Sequence, residues 1–192
     1  MKIAKRENSL TGDRVRLRAL NTQDEEKLIS FVNNPEVVQF SNAYTPVSDL
    51  QHRKWFEDTV LHSKNTWFGI ESIESDPPEL IGTCAFYAPN YLARVVEIAS
   101  FRIGNPNNWS GGYGSEALEL LVEYVLVELN MRRIWTPVFD TNPRSIRMFE
   151  KLGFKEEGRM RQEGYSRGKY CDMMILGLLR PEWEEYKKAR DK

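Results

Sequence analysis

Residues 94–129 constrain this chain more than any other stretch, because a strand, a glycine-rich turn and a helix follow one another there without interruption. Val95, Ile98, Phe101 and Ile103 supply the β-branched and aromatic residues of a strand, and Gly104, Asn105 and Pro106 end it. Gly111, Gly112 and Gly114 come next. Ala117, Leu120, Leu121, Tyr124, Val125 and Leu129 then recur at spacings of three and four, as one buried helix face requires. The glycines therefore stand at a helix N-terminus, where the first backbone N–H groups lack intrahelical partners and the dipole is positive. Such a turn reads either as a plain tight turn or as a cradle that lets a pyrophosphate approach several donors at once.

Two familiar phosphate patterns are absent: no Gly-x-x-x-x-Gly-Lys-Ser/Thr occurs, and no Gly-x-Gly-x-x-Gly. The run Trp109-Ser110-Gly111-Gly112-Tyr113-Gly114-Ser115-Glu116-Ala117 instead resembles the acetyl-CoA motif of the GNAT superfamily of N-acetyltransferases, Gln/Arg-x-x-Gly-x-Gly/Ala. It has the form with Trp in first position seen in the ribosomal-protein N-acetyltransferase-like (RimJ/RimL) branch. The resemblance extends from about Leu10 to Trp183 and implies acetyl-CoA as cofactor, with coenzyme A as product.

The totals narrow the remaining classes. A chain of 192 residues, 41% hydrophobic and 29% charged, fits one globular domain spanning 1–192 with its core at about 10–183. The formal net charge of −1 offers no global basic field for nucleic acid. No run approaches ~18 apolar residues and the first residues lack an apolar signal core, so a cytoplasmic protein without membrane attachment is expected. Cys84 and Cys171 lie far apart, with only His52 and His62 as further soft ligands, so no metal site is expected; a single disulfide between them is left open.

Taken in order, residues 14–20 alternate basic and apolar as a half-buried strand does. Thr22 with Glu25, and Ser48 with Gln51, read as capping boxes opening helices over 24–34, stopped by Pro35, and through Trp55, Phe56, Val60 and Leu61. The aperiodic segment 37–46 between them reads as a substrate-facing wall or an ordinary connection. Residues 66–73 and 80–88 form a hairpin about a turn at 75–78, and 94–103, 133–138, 154–160 and 170–179 are further strands, the last two separated by a turn at 164–168. Asn142 to Gly153 is a helix with Pro143 at its first position, and 181–192 is a charged tail, read as one helix. A meander followed by helical crossovers predicts a single-domain α/β fold, a mixed and mostly antiparallel sheet with helices on both faces. The GNAT resemblance implies that the strands at 94–103 and 133–138 splay apart, with the pantetheine arm in the gap.

By that resemblance, Asn142 with Ser145 matches Asn-x-x-Ser/Ala: Asn142 would bond the pantetheine arm and Ser145 would lie near the thioester sulfur. Asn142 also suits a plain helix cap. Met148-Phe149-Glu150-Lys151-Leu152-Gly153-Phe154 matches Tyr-Glu-Lys-Leu-Gly-Phe, except that Phe149 replaces the tyrosine that often serves as general acid. Glu157-Gly158 and residues 165–172 resemble the ending of the same branch. Glu97 stands where RimJ/RimL-like proteins often carry a glutamate; it reads as the base that deprotonates the amine or as a surface residue. Backbone around Phe101 and Ile103 would pair with pantetheine, amides from Trp109 to Ser115 would take the pyrophosphate, and Arg144, Arg147 and Lys151 lie where cofactor phosphates could be met, Lys151 reading more readily as part of a solvated basic face. Phe40, Tyr44, Trp55, Phe86 and Tyr87 read as lining of an acceptor groove or as core, and His52 and His62 as helix-surface residues. The expected activity is direct transfer of acetyl to a primary amine, either a protein N-terminus or a small amine such as a polyamine or aminoglycoside. The alternative is a silent coenzyme A-binding module, and a homodimer is plausible by resemblance.

Overall fold

The computed structural model describes residues 10–41 and 45–190. One seven-stranded sheet runs in the order β1 (Val15–Ala19), β2 (Thr66–Ser72), β3 (Glu79–Asn90), β4 (Val95–Ile103), β5 (Arg133–Phe139), β7 (Lys169–Leu179), β6 (Lys155–Ser166). Every pairing is antiparallel except β4 with β5. Helices α1 (Glu25–Val32), α2 (Pro35–Val38) and α3 (Asp49–Trp55) come before β2. Helix α4 (Tyr113–Glu123) joins β4 to β5, α5 (Pro143–Lys151) joins β5 to β6, and α6 (Arg180–Arg190) ends the described chain.

Two apolar clusters form. Ala117, Leu118, Leu121 and Val122 of α4 join Phe149, Leu152 and Trp183 against Ile70, Val96, Ile98 and Ile134 of the sheet. Leu28 and Phe31 of α1 join Phe56, Trp67, Leu80 and Ala85 in the other. Beyond Glu123 the α4 ladder widens into a π-helical segment, Tyr124–Glu128, and the fully buried residues there are Val125 and Leu126. Leu118 and Val122, absent from the three-and-four series read above, lie in the core ahead of that shift, each three residues before a buried member of the series, Leu121 and Val125.

Local differences have local causes. The first capping box is formed by Asn21 with Asp24, one residue before the expected Thr22, whereas Ser48 with Gln51 caps α3 as read. Pro35 does not only stop a helix: Asn34 caps it and it opens α2. The β6–β7 turn is confined to Arg167 and Gly168 at positive φ, and Gly164 lies within β6 opposite Cys171. Cys84 and Cys171 are free, buried thiols on β3 and β7, with β4 and β5 between those strands. Among the described residues no helix is long and apolar enough to cross a membrane, and no three His, Cys, Asp or Glu side chains group to hold a metal.

The feature that positions the site is the parting of β4 from β5. Parallel pairing covers only Val95–Glu97 against Arg133–Trp135, while β5 continues along β7 to Phe139. A β-bulge bends β4 where they separate: Ala99 and Arg102 stand opposite Ala85 and Thr83, so three steps of β4 span two of β3, and Ser100 has a φ of 49°. One consequence is parity. Glu97, Ala99 and Arg102 all face the side of the sheet that carries α1 and α3.

Candidate active site

Between the separated ends of β4 and β5 lies an open cleft of about 740 Å³. Its floor is β4 from Ala99 to Ile103 and β5 from Thr136 to Phe139. The glycine-rich turn, the start of α5, Val37 of α2 and Phe40 and Ser41 just after it line the rest.

Gly112 is the residue before the first turn of α4 and holds a left-handed φ of 82°, which favours glycine. The Glu116 N–H is the first to close onto the helix, at 3.1 Å from the Gly112 carbonyl. The amides of Ser110, Gly111, Gly112, Tyr113, Gly114 and Ser115 make no hydrogen bond among the described residues. The expected set began one residue earlier, but the Trp109 amide donates to the Pro106 carbonyl at 3.1 Å. Trp109 instead fixes the turn: its indole N–H donates to the Ile103 carbonyl at 2.9 Å, and its ring packs on Phe40 and beneath Arg144. The Ile103 carbonyl thus already accepts one hydrogen bond.

The turn is braced from outside. Arg14 donates to the Gly111 carbonyl, pairs with Glu74 at 2.9 Å and lies 4.5 Å from the Tyr113 ring centroid. The Tyr113 hydroxyl donates to Glu74 at 2.6 Å. The Tyr113 side chain thus belongs to this brace; neither it nor Ser110 nor Gly111 lines the cleft, whereas Trp109, Gly112, Gly114 and Ser115 do. At Gly114 a Cβ would meet Met148 Sδ at 3.4 Å, so the turn packs closely on α5.

Asn142 caps α5, its Oδ1 accepting from the Ser145 N–H at 3.1 Å. Its Nδ2 makes no hydrogen bond among the described residues and is left to donate into the cleft it lines. Ser145, Arg144 and Arg147 line the same cleft. Lys151 lines it too and stays exposed. The fit to a diphosphate-bearing cofactor is therefore chemical and local: unpaired amides stand at a positive helix end, and Gly112, Gly114 and Ser115 among their residues share the cleft with Arg144, Arg147 and Lys151.

Phe149 is buried in the larger core, its ring edge-on to Phe154 at 5.0 Å and to Phe101 at 6.4 Å. Glu97 is half-buried, and burial pushes its carboxyl up from the ordinary range. It lines neither the cleft nor the cavity beside it.

A second, smaller cavity of about 220 Å³ lies under α1 and α3. Ser100 and Arg102 line both spaces, so β4 is their common wall. Trp55 lines this cavity, edge-on to Trp67 at 5.1 Å. Phe86 lines neither; it is buried against Phe68 in the core, because its face of β3 is the one covered by α4. Tyr44 lies outside the described residues. His52 is not a surface residue: only 3% exposed, it points inward one turn before Phe56 and packs on Trp55. Burial pushes its imidazole down, and Arg102 adds to this against Glu25 and Asp49. Of the aromatic set, Trp55 and Tyr87 line this cavity, whereas sequence reasoning missed Arg102, Ser100 and His52; the one legible signal was a lone arginine between Phe101 and Ile103.

Comparison with known proteins agrees with this construction. A family model described as acetyltransferase (GNAT) domain matches residues 14–155. An uncharacterized N-acetyltransferase of Bacillus licheniformis, p20, is 30% identical over 91% of this chain and 98% of its own length. The spermidine N(1)-acetyltransferase of Vibrio cholerae is 24% identical over 87% of this chain and 94% of its own. A crystal structure of Vibrio cholerae spermidine N-acetyltransferase in complex with CoA and spermine superposes with a TM-score of 0.77 at 23% identity, covering 88% of this chain and 98% of that one. The family match thus spans the strand, the glycine-rich turn and the helix that build the cleft, and the chain belongs to the GNAT acetyltransferases, enzymes that draw their acetyl group from acetyl-CoA.

Proposed function

We propose that this enzyme moves acetyl directly to a primary amine within a ternary complex, without a covalent enzyme intermediate. The observation that carries the reading is the row of unpaired amides from Ser110 to Ser115, of whose residues Gly112, Gly114 and Ser115 line the cleft between β4 and β5. Those amides, with Arg144, Arg147 and Lys151, hold the diphosphate; Asn142 Nδ2 and the free edge of β4 at Phe101 hold the pantetheine arm. When bound, acetyl-CoA supplies an activated thioester carbonyl. The protein orients the amine, excludes water and accepts its proton. Ser145, at the cleft wall, serves as the hydroxyl that returns a proton to the thiolate in the absence of a tyrosine at Phe149.

The Trp109 form of the motif supports placement in the RimJ/RimL-like branch, and with it a protein N-terminus or a small amine as acceptor. A homodimer and a cytoplasmic location belong to the same reading. Calorimetry with acetyl-CoA followed by a free-thiol assay against an amine panel tests it. Phe149 favours one second reading, a silent coenzyme A-binding module, which predicts binding without turnover on any amine.

Glu97 is the proposed base, acting through water because it borders neither space. Glu97→Gln is expected to lower kcat by about 100-fold and remove the acidic limb of the pH–rate profile. That limb should lie above the ordinary carboxylate range, since burial raises the Glu97 carboxyl. A limb that persists in Glu97→Gln but disappears in His52→Asn assigns the proton to His52 instead. Asn142→Ala should raise the KM for acetyl-CoA about 10-fold and cost about 1 kcal/mol of stability through the lost cap. A change in stability alone reduces Asn142 to a cap.

A further inference from the structure

The smaller cavity tells what kind of amine fits. Its walls are aromatic and aliphatic: Phe31, Trp55, Trp67 and Tyr87 dominate. Among the described residues no carboxylate lines it. Glu25, the nearest acid acting on His52, is engaged outside by Arg53 at 3.8 Å. The charged group that does line it is Arg102, whose side chain makes no hydrogen bond or ion pair among the described residues. Residues 42–44, outside that set, are Asn, Ala and Tyr, none of them acidic. Burial pushes the guanidinium down, with the Tyr87 phenol opposing, yet an arginine stays charged in proteins. A partly buried cation without an anion is an unfinished interaction. Two further polar atoms of the lining residues, His52 Nε2 and Trp67 Nε1, are buried and unpartnered.

Position adds what chemistry alone does not. Arg102 lies in the wall shared with the cofactor cleft, where the reacting amine must arrive. An anion held on that shared wall is best matched by a small molecule that carries its amine and its anion close together. The apolar remainder then enters a space smaller than the roughly 300–1,000 Å³ usual for drug-sized ligands. A peptide segment or a long polycation matches neither the size nor the charge.

We infer that the acceptor is an α-amino acid, or a close amino-carboxylate, with an aromatic or branched apolar side chain, its carboxylate paired with Arg102. This rests on the transferase reading above. The neutral amine nitrogen attacks the acetyl carbonyl carbon; the C–N bond forms and the C–S bond breaks. The amine's proton passes to the base and the departing thiolate takes up one proton, giving an N-acetylamino acid and coenzyme A.

The test compares thiol release from phenylalanine, phenylalaninamide and spermidine at saturating acetyl-CoA, in the wild type, Arg102→Met and Arg102→Lys. The acid should exceed the amide in kcat/KM by about 10- to 100-fold, the worth of a hydrogen-bonded charge pair. Arg102→Met should erase that ratio by raising the KM for phenylalanine while the KM for acetyl-CoA holds, and Arg102→Lys should restore part of it. Equal use of acid and amide, preference for spermidine, or a KM change confined to acetyl-CoA overturns the inference; the last would assign Arg102 to a cofactor phosphate. A second readout does not depend on turnover: calorimetry of N-acetylphenylalanine with the coenzyme A-loaded protein. Binding that Arg102→Met abolishes upholds the cavity assignment even if no amine turns over, which would sink only the transferase reading. No binding by the wild type sinks the cavity assignment itself.

Discussion

Gly112→Glu is expected to weaken acetyl-CoA binding by at least about 100-fold, equivalent to about 2.8 kcal/mol. Two effects add. Gly112 holds φ at 82° and lines the cleft beside the unpaired amides, and a non-glycine residue there costs about 1–2 kcal/mol of strain. The glutamate also brings a negative charge against a diphosphate, and at 4 Å with an effective dielectric near 20 that repulsion is about 4 kcal/mol. Gly112→Asn separates the two, because asparagine tolerates the left-handed region and carries no charge. Calorimetry should show affinity for acetyl-CoA largely kept in Gly112→Asn and lost in Gly112→Glu, with melting temperatures of the two within a few degrees. Equal affinity in the glutamate variant would mean that the Ser110–Ser115 amides do not face the phosphates.

The same turn shows what kind of information the chain discloses. Strand, glycines and helix were legible because each rests on local periodicity or on a residue with a special φ, and the sheet with helices on both faces followed from counting such units. The acceptor side was not legible, and β4 shows why. Simple alternation puts Glu97 and Arg102 on opposite faces, but the bulge near Ser100 puts them on the same one. A serine at a φ of 49° carries no mark in the sequence. His52 was misread for a related reason: it has no acid or serine at triad spacing, so nothing advertised a role. Its burial follows from α3 lying against the sheet with His52 and Phe56 both inward, a tertiary fact. Phe86 and Trp55 both looked like groove aromatics, and only strand parity and helix placement send one to the core and the other to the cavity.

The cavity also depends on how α1 is moored, and there the largest stability effect is expected. Arg18 on β1 donates from both terminal nitrogens to Asp24, at 2.8 Å each, and from Nε to Glu71 on β2 at 2.7 Å. Asp24 also accepts the Asn21 N–H at 2.9 Å, closing the cap that leads into α1. Both carboxylates are nearly buried. Burial alone would raise them, yet the Arg18 hydrogen bonds, with Asn21 for Asp24 and Arg16 for Glu71, hold both below the ordinary carboxylate range. Arg18→Met leaves two acids desolvated with Asp24 unpaired, a change that costs about 3–5 kcal/mol when a buried partner is removed. The Arg18 side chain remains 24% exposed, so the lower end, about 3 kcal/mol, is expected. That is a large share of the roughly 5–15 kcal/mol that folds a domain. The sign with pH follows from the depressed carboxylates. Their contribution is complete above the ordinary carboxylate values and is lost as pH falls through the lower folded-state values. Urea titrations should therefore show the full difference between wild type and Arg18→Met at pH 7 and a shrinking one below about pH 4, where the wild type loses what the variant never had. Arg18→Lys should recover less than half, since one ammonium cannot bridge two carboxylates with a planar fork. A difference that stays constant with pH would show that Arg18 acts through its apolar stem rather than through Asp24 and Glu71.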